Sequence, residues 1–148
     1  MANPVAGPSL PPEPTMERRE RLRFDDFNYE VFANGQCLAT LSLELQGDRY
    51  QGASEGTHTL EGRLRVGALA AVQAAEAATA NRIELELLGV KAVRAFDQWI
   101  VIVSIRGRSG DHSYRLLGSF ATDEADAARG AAMAVLDATN RILEKYLN

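Results

Sequence analysis

This 148-residue chain contains two histidines and one cysteine, the side chains best suited to metal binding, proton transfer or nucleophilic catalysis. A metal site or a proton shuttle needs two or three converging groups, but His58 and His112 lack Cys-x-x-Cys or His-x-x-x-His spacing. Asp111, His112 and Ser113 have the residue types of a catalytic triad. Three consecutive residues on one turn, however, cannot align a nucleophile, a base and an orienting group. Cys37 has no histidine near it in sequence, so we expect a structural, half-buried thiol. The sequence therefore predicts no catalytic residue, no metal ligand and no cofactor.

The carboxylates give the same indication. Glu84 and Glu86 alternate with apolar residues, which is typical of the wet face of a strand. Asp123, Glu124 and Asp126 precede an alanine-rich stretch and suit the positive end of a helix. Catalysis by paired carboxylates would require one of them to be desolvated, and nothing apolar crowds them in sequence.

One segment has features of a binding site for a small anion. Glycines let backbone N–H groups approach a ligand, and the N-terminus of a helix attracts anions. Gly52, Ser54 and Gly56 precede the first predicted helix. They predict a small-molecule effector site, and we expect Ser119, Thr122 and Asp123 to serve the equivalent or partner pocket in the second half. Asp123 would receive an ammonium group, which favours an amino acid or another small carboxylate. The alternative is a bulge and a turn that lead into the helix, without a ligand.

Composition narrows the class of partner. A net charge of −4 argues against nucleic acid, and the short basic cluster from Arg18 to Arg23, interrupted by Glu20, is expected to be solvated. No apolar run approaches the roughly 20 residues of a membrane-spanning helix, and residues 1–15 lack the pattern of a secretory signal. With a single cysteine, these features predict a cytoplasmic protein that binds neither nucleic acid nor membrane.

The hydrophobic pattern occurs twice. Each half contains alternating strands and then an alanine-rich amphipathic helix that carries Asn-Arg-Ile, at residues 81–83 and 140–142. We expect one α+β domain over residues 24–148, with a first repeat at about 29–83 and a second at about 84–148. The prediction is two βββα repeats with pseudo-twofold symmetry, a mostly antiparallel and continuous sheet, and both helices packed on one face.

Local signals place the elements. Asn34-Gly35 predicts a hairpin, strands are expected from about Tyr29 and over Tyr50 to Ser54, and Gly89 suggests a bulge. Helices are predicted over residues 60–80 and from Thr122 or Asp123 onward. The segment Trp99–Ile105 is apolar on both faces, so we expect it to be a central strand whose outer side meets a partner.

All five prolines lie in the first 16 residues. Such a stretch has little to bury, so residues 1–20 are predicted to be a disordered arm. Its functional alternative is a polyproline ligand or a segment that captures another protein.

A family resemblance is carried by the second half, where Gly118-Ser119 and Ala121-Thr122-Asp123 lead into a helix that closes on Ala138-Thr139-Asn140-Arg141-Ile142-Leu143. This part resembles the C-terminal end of the allosteric (dimerisation) domain of α-isopropylmalate and citramalate synthases, over about residues 29–148. The resemblance implies two βββα copies, dimerisation and an amino-acid effector near the helix starts. The metal-binding catalytic barrel of those synthases is absent, so the resemblance implies no catalysis.

Three functional hypotheses follow from these patterns. The first is a non-catalytic, self-associating module, a homodimer or a higher homo-oligomer, that binds a small amino-acid-like or carboxylate effector. The second is an assembly or adaptor protein that uses the N-terminal arm to capture a protein partner. The third is an enzyme, which would need His58 or His112 to converge with carboxylates in a cleft.

Overall fold

The computed structural model describes residues 22–147, which form two successive units of three antiparallel strands and a helix. The elements are β1 (Arg23–Val31), β2 (Gln36–Leu45), β3 (Asp48–Thr57), α1 (Leu60–Ala78), β4 (Glu84–Ala95), β5 (Gln98–Ser109), β6 (His112–Thr122), a 3₁₀ turn (Glu124–Asp126) and α2 (Ala127–Leu143). The α+β class and the repeated βββα layout are confirmed. The predicted arm at residues 1–20 lies outside the described residues.

The strands form two sheets rather than the single continuous sheet expected from the sequence. One sheet has the order β1-β2-β3 and the other β4-β5-β6, both antiparallel. Side chains of α1 accept one backbone hydrogen bond at the edge of each sheet. Gln73 Oε1 accepts from the Ala53 N–H of β3 at 3.1 Å, and Glu76 Oε2 accepts from the Leu85 N–H of β4 at 2.7 Å. At these two positions, a helix side chain takes the place of a partner strand.

Each sheet buries one face against the helices. The inner side of β2 contributes Cys37, Ala39, Leu41 and Leu43, each 0–1% exposed. The inner side of β5 contributes Val101, Val103 and Ile105, each 0% exposed, as expected for the central strand of its sheet. All of these side chains belong to one apolar core with the two alanine-rich helices. Small helix residues allow that core to be thin, since Gly67 of α1 lies directly against the Ala128 backbone of α2.

The hairpin at Asn34-Gly35 and the bulge at Gly89 are confirmed. Gly35 has a φ of 84°, and Gln36 N–H donates to the Asn34 side chain at 3.0 Å, so only the glycine uses the left-handed region. The β4–β5 register shifts between Leu87 and Gly89.

Several boundaries differ from the sequence prediction. Strand β1 begins at Arg23, six residues before Tyr29, and β3 extends to Thr57. The second helix begins at Ala127 instead of Thr122 or Asp123, because a 3₁₀ turn occupies residues 124–126 first. Thr59 caps the first helix by accepting from the Gly62 N–H at 3.0 Å.

The two Asn-Arg-Ile segments are not structurally equivalent. In the first half, Asn81 has a φ of 60°, and its N–H donates to the Glu76 carbonyl, which terminates α1. In the second half, Asn140 lies within α2. The sequence similarity therefore marked two helices correctly and aligned them several residues out of register.

No helix within residues 22–147 combines the length and the apolarity needed to cross a membrane.

Candidate functional site

The predicted glycine segment of the first half is part of a strand. Gly52, Ser54 and Gly56 lie on the inner face of β3, opposite Leu41, Ala39 and Cys37 of β2 in that order. A Cβ added to Gly52 would collide with the Ala70 carbonyl oxygen of α1 and would lie 2.7 Å from Ala74 N. The close approach that these glycines permit is therefore occupied by a helix.

Gly56 has a similar role near the start of α1. A Cβ at this position would lie 2.7 Å from Val66 Cγ1, which is closer than real Cβ atoms approach a neighbour. A Gly56→Val variant is therefore expected to destabilise the fold, so it cannot report on ligand binding.

The second half repeats this arrangement. Gly118 of β6 collides in the same way with the Ala134 carbonyl oxygen, and its added Cβ would lie 2.6 Å from Ala138 N of α2. The next residue, Ser119, donates its backbone N–H to Asp137 Oδ2 at 3.1 Å. This bond matches the 3.1 Å bond between Ala53 and Gln73 in the first half. In both units, a glycine of the third strand contacts the helix, and the backbone N–H of the next residue donates to a helix side chain. The contact of Ser119 with α2 is thus made by its backbone.

Thr122 and Asp123 lie in a cleft of about 500 Å³ at the end of β6, which we call the polar cleft. Its walls come from the β4–β5 hairpin, the end of β6, the 3₁₀ turn and the first turn of α2. It is lined by Arg94, Asp97, Gln98, Trp99, Phe120, Ala121, Thr122, Asp123, Glu124, Asp126 and Arg129. Two of the six predicted effector residues therefore share one site, and the glycine group lies elsewhere.

The polar cleft combines both signs of charge with aromatic surface. The Arg94 guanidinium lies 5.5 Å from the centre of the Trp99 ring, and Arg129 lies 5.4 Å from the centre of Phe24. These cation–π contacts hold the two cations on fixed surfaces. Asp97 and Asp123 line the same cleft, so a small molecule with both a carboxylate and an ammonium group would find a partner for each charge.

An apolar cleft of about 320 Å³ adjoins the polar cleft, with Phe120 in both walls. It lies where β1, β2, β6 and α2 meet. The apolar cleft is lined by Leu22, Arg23, Phe24, Leu43, Ser119, Phe120, Met133, Leu136, Asp137 and Asn140. Sequence reasoning missed it, because its walls come from four separate segments, at residues 22–24, 43, 119–120 and 133–140.

His58 lies outside both clefts and is engaged by a tyrosine. The Tyr29 hydroxyl is 2.7 Å from His58 Nδ1. Burial raises the pKa of Tyr29, a hydrogen bond with the Cys37 thiol raises that pKa further, and the positive charge of Arg63 opposes the change. Cys37 itself is fully buried. The hydrogen bond of His58 thus goes to a phenol rather than to the carboxylate that acid–base catalysis would use.

His112 also lies against a tyrosine, in this case through ring stacking. Its ring stacks on Tyr114 with centres 6.4 Å apart. The Tyr114 hydroxyl is 2.8 Å from that of Tyr146, and this hydrogen bond is the main cause of a raised pKa for Tyr114. Within residues 22–147, no three His, Cys, Asp or Glu side chains are grouped so that they could hold a metal ion.

Comparison with known proteins adds no family. The chain matches no protein-family model, and a search of curated proteins finds no match.

Proposed function

We propose that this chain is a non-catalytic module that associates with a second copy of itself through the outer face of its second sheet. The observation that carries the proposal is the difference between the outer faces of the two sheets. On the first sheet, the outer positions of adjacent strands are mostly polar and include Asp26, Asn28, Thr40, Ser42 and Gln51, with Leu38 and Ala53 among them. On the second sheet, apolar residues are concentrated in the half that leads to the β4–β5 hairpin. The apolar residues of this second-sheet outer face are Val93, Ile100, Ile102, Leu117 and Ala121, and the same face also carries Lys91, Ser104, Ser119 and Arg115.

The exposure of these residues supports an interface. Leu117 is 70% exposed on β6, and Ile100 and Ile102 on the central strand are half-buried although helices cover only their other side. Val93, Ile100 and Ala121 form an apolar row across three adjacent strands. Such a row is unusual for a surface that always faces water.

A second copy is the partner that fits this surface best. A two-fold axis through the centre of the face would place apolar residues on apolar residues in both copies. Arg106 and Arg108 lie toward one end and pair with Glu86 and Glu84 at 3.5 Å each, so those charges are matched within one copy. Lys91 lies on the edge strand beside Ile102, where its stem can cover apolar surface while its ammonium group reaches the rim.

The dimensions of the face indicate the strength of association. Three strands about 4.8 Å apart and about ten residues long present a face of roughly 14 Å by 33 Å. Two such faces bury an area at the low end for specific interfaces, so we expect a dimer that forms in the micromolar range.

The test uses one variant on each outer face. Leu117→Lys places a charge at the most exposed apolar position of the second-sheet outer face, and Asn28→Lys makes the same change in charge on the polar face of the first sheet. Leu117 and Asn28 are both exposed strand residues. Sedimentation equilibrium should show that Leu117→Lys raises the dimer dissociation constant at least tenfold. Asn28→Lys should leave that constant unchanged. Equal behaviour of the two variants contradicts the proposal.

The polar cleft supports effector binding as a second function of the same module. The ligand class is a small amino acid or carboxylate, with its anionic group toward Arg94 or Arg129 and an ammonium group toward Asp123. Thermal-shift screening of amino acids and small carboxylates tests this assignment. If Asp123→Asn leaves every detected shift unchanged, the ligand binds elsewhere.

The adaptor hypothesis concerns residues 1–20. Deletion of that arm should abolish partner capture and leave the melting temperature of the core unchanged if the arm acts as the capture segment.

A further inference from the structure

Phe96, at the tip of the β4–β5 hairpin, is the most exposed large apolar side chain within residues 22–147. It is 95% exposed, and its φ is 53°. The next residue, Asp97, has a φ of 63°. Two successive positive φ angles define the tight hairpin turn that normally uses Asn-Gly, because bulky side chains crowd the backbone in this region.

Each of the other hairpin turns contains a glycine at a positive φ, although Gln46 of the β2–β3 turn also has a φ of 54°. The β1–β2, β2–β3 and β5–β6 turns place glycine in the left-handed region, at Gly35, Gly47 and Gly110. The β4–β5 turn has no glycine at either position. A phenylalanine here costs free energy through backbone strain, and the fold gains almost nothing from the ring because it stays in water. Strain of this kind persists where the residue serves a function.

The surroundings of Phe96 make the hairpin tip a finger with charged sides. Arg94 precedes Phe96 by two residues and stacks on Trp99, and Asp97 follows it directly. We define the finger as Arg94, Phe96 and Asp97.

The apolar cleft has the matching character. Phe24, Leu43, Met133 and Leu136 supply apolar walls, and its volume of about 320 Å³ exceeds that of a phenyl ring. Arg23 and Asp137 also line the cleft. This cleft, which we also call the socket, therefore offers the cation Arg23 to Asp97 of the finger and the anion Asp137 to Arg94 of the finger.

We propose that the finger of one chain inserts Phe96 into the apolar cleft of a second chain. Arg94 then lies toward Asp137 and Asp97 lies toward Arg23 of the other copy. Finger and socket both adjoin the polar cleft, since Asp97 lines it and Phe120 is shared by both clefts. Because both elements border the same region, two copies can exchange fingers about a two-fold axis. This contact is separate from the second-sheet outer face and does not depend on it.

The test is carried out in the Leu117→Lys background, in which the outer face is blocked. In that background the chain should still dimerise, and Phe96→Asn should weaken dimerisation at least tenfold. Asparagine tolerates the left-handed region, so Phe96→Asn should also raise the melting temperature by about 2–4 °C. Lost association with gained stability separates the role of Phe96 from any role in folding.

The socket is tested with Met133→Glu, which places a charge on its wall, and with Arg23→Glu, which reverses a charge at an exposed position. Each should weaken dimerisation as Phe96→Asn does. Mixing Phe96→Asn with Met133→Glu should restore part of the association, because the first retains a socket and the second retains a finger. If Met133→Glu unfolds, Arg23→Glu serves in the mixture.

Two results overturn the proposal. One is a Leu117→Lys chain that is monomeric at several hundred micromolar. The other is a dimer whose dissociation constant is unchanged by Phe96→Asn, which would assign the finger to a different partner. Neither result overturns the outer-face dimer, because a Leu117→Lys chain that is monomeric is the result which that dimer alone predicts.

Discussion

Gly52 and Gly118 occupy the same place in the two repeats, each on the inner face of its third strand and each in contact with a helix backbone. The contacts are with Ala70 and Ala134, which lie at equivalent positions in α1 and α2. This pair defines the internal symmetry more accurately than the Asn-Arg-Ile segments do. It also shows that the glycines before each helix serve the approach of strand to helix.

Gly118→Ala tests that packing role. The added methyl group would lie 2.6 Å from Ala138 N, and helix backbone cannot yield as a flexible side chain can. We expect a loss of about 3 kcal/mol in the free energy of unfolding, from overpacking. Gly89→Ala is the matched control, since its added Cβ meets nothing within 4 Å. Urea denaturation that gives both variants equal stability would contradict the packing role.

Phe96→Asn should stabilise the monomer by about 1 kcal/mol, because asparagine tolerates the positive φ of this position better than phenylalanine does. The measurement is urea unfolding at a protein concentration low enough to keep the chain monomeric. An unchanged or lowered midpoint would show that the turn holds phenylalanine without strain.

The strands and helices follow largely from local patterns, and the sequence predicted them. The alternation along β2 and the bulge at Gly89 are examples, because each depends on residues adjacent in the chain. The separation into two sheets could not be predicted, since local patterns do not say which strands pair between the two repeats.

The effector site remains a prediction, and the structure brings only some of its predicted residues together. Thr122 and Asp123 line one cleft, as expected from their adjacency. Arg94 and Arg129 were missed, because 35 positions separate them and only the fold brings them together. Phe96 was missed for the opposite reason, since a Phe-Asp pair carries no turn signal and its strain is visible only in the backbone angles.

Alkaline pH should destabilise the fold through Tyr29. Its pKa is raised in the folded state by burial and by the Cys37 thiol. The stabilisation is complete below the ordinary tyrosine pKa of about 10 and is lost as pH rises above it, because the unfolded chain ionises first. Tyr29→Phe should flatten the decline of stability above pH 10 in urea titrations, and Tyr50→Phe serves as the control. A decline as steep as that of the original chain would exclude Tyr29 as its source.

Ligand binding in the polar cleft should be visible as stabilisation. A ligand at about a hundred times its dissociation constant adds about 2.7 kcal/mol, which is roughly 5–10 °C for a chain of this size. Asp123→Asn should remove that shift for amino acids and retain much of it for simple carboxylates, which lack the ammonium group. Equal loss for both ligand classes would contradict the role assigned to Asp123.

The central claim is self-association, and the most direct measurement is the weight-average mass of the chain by sedimentation equilibrium from 1 to several hundred micromolar. The account predicts a rise from 16.1 kDa to at least twice that mass, with the midpoint in the micromolar range. A mass that stays at that of one chain over the whole series would contradict the account.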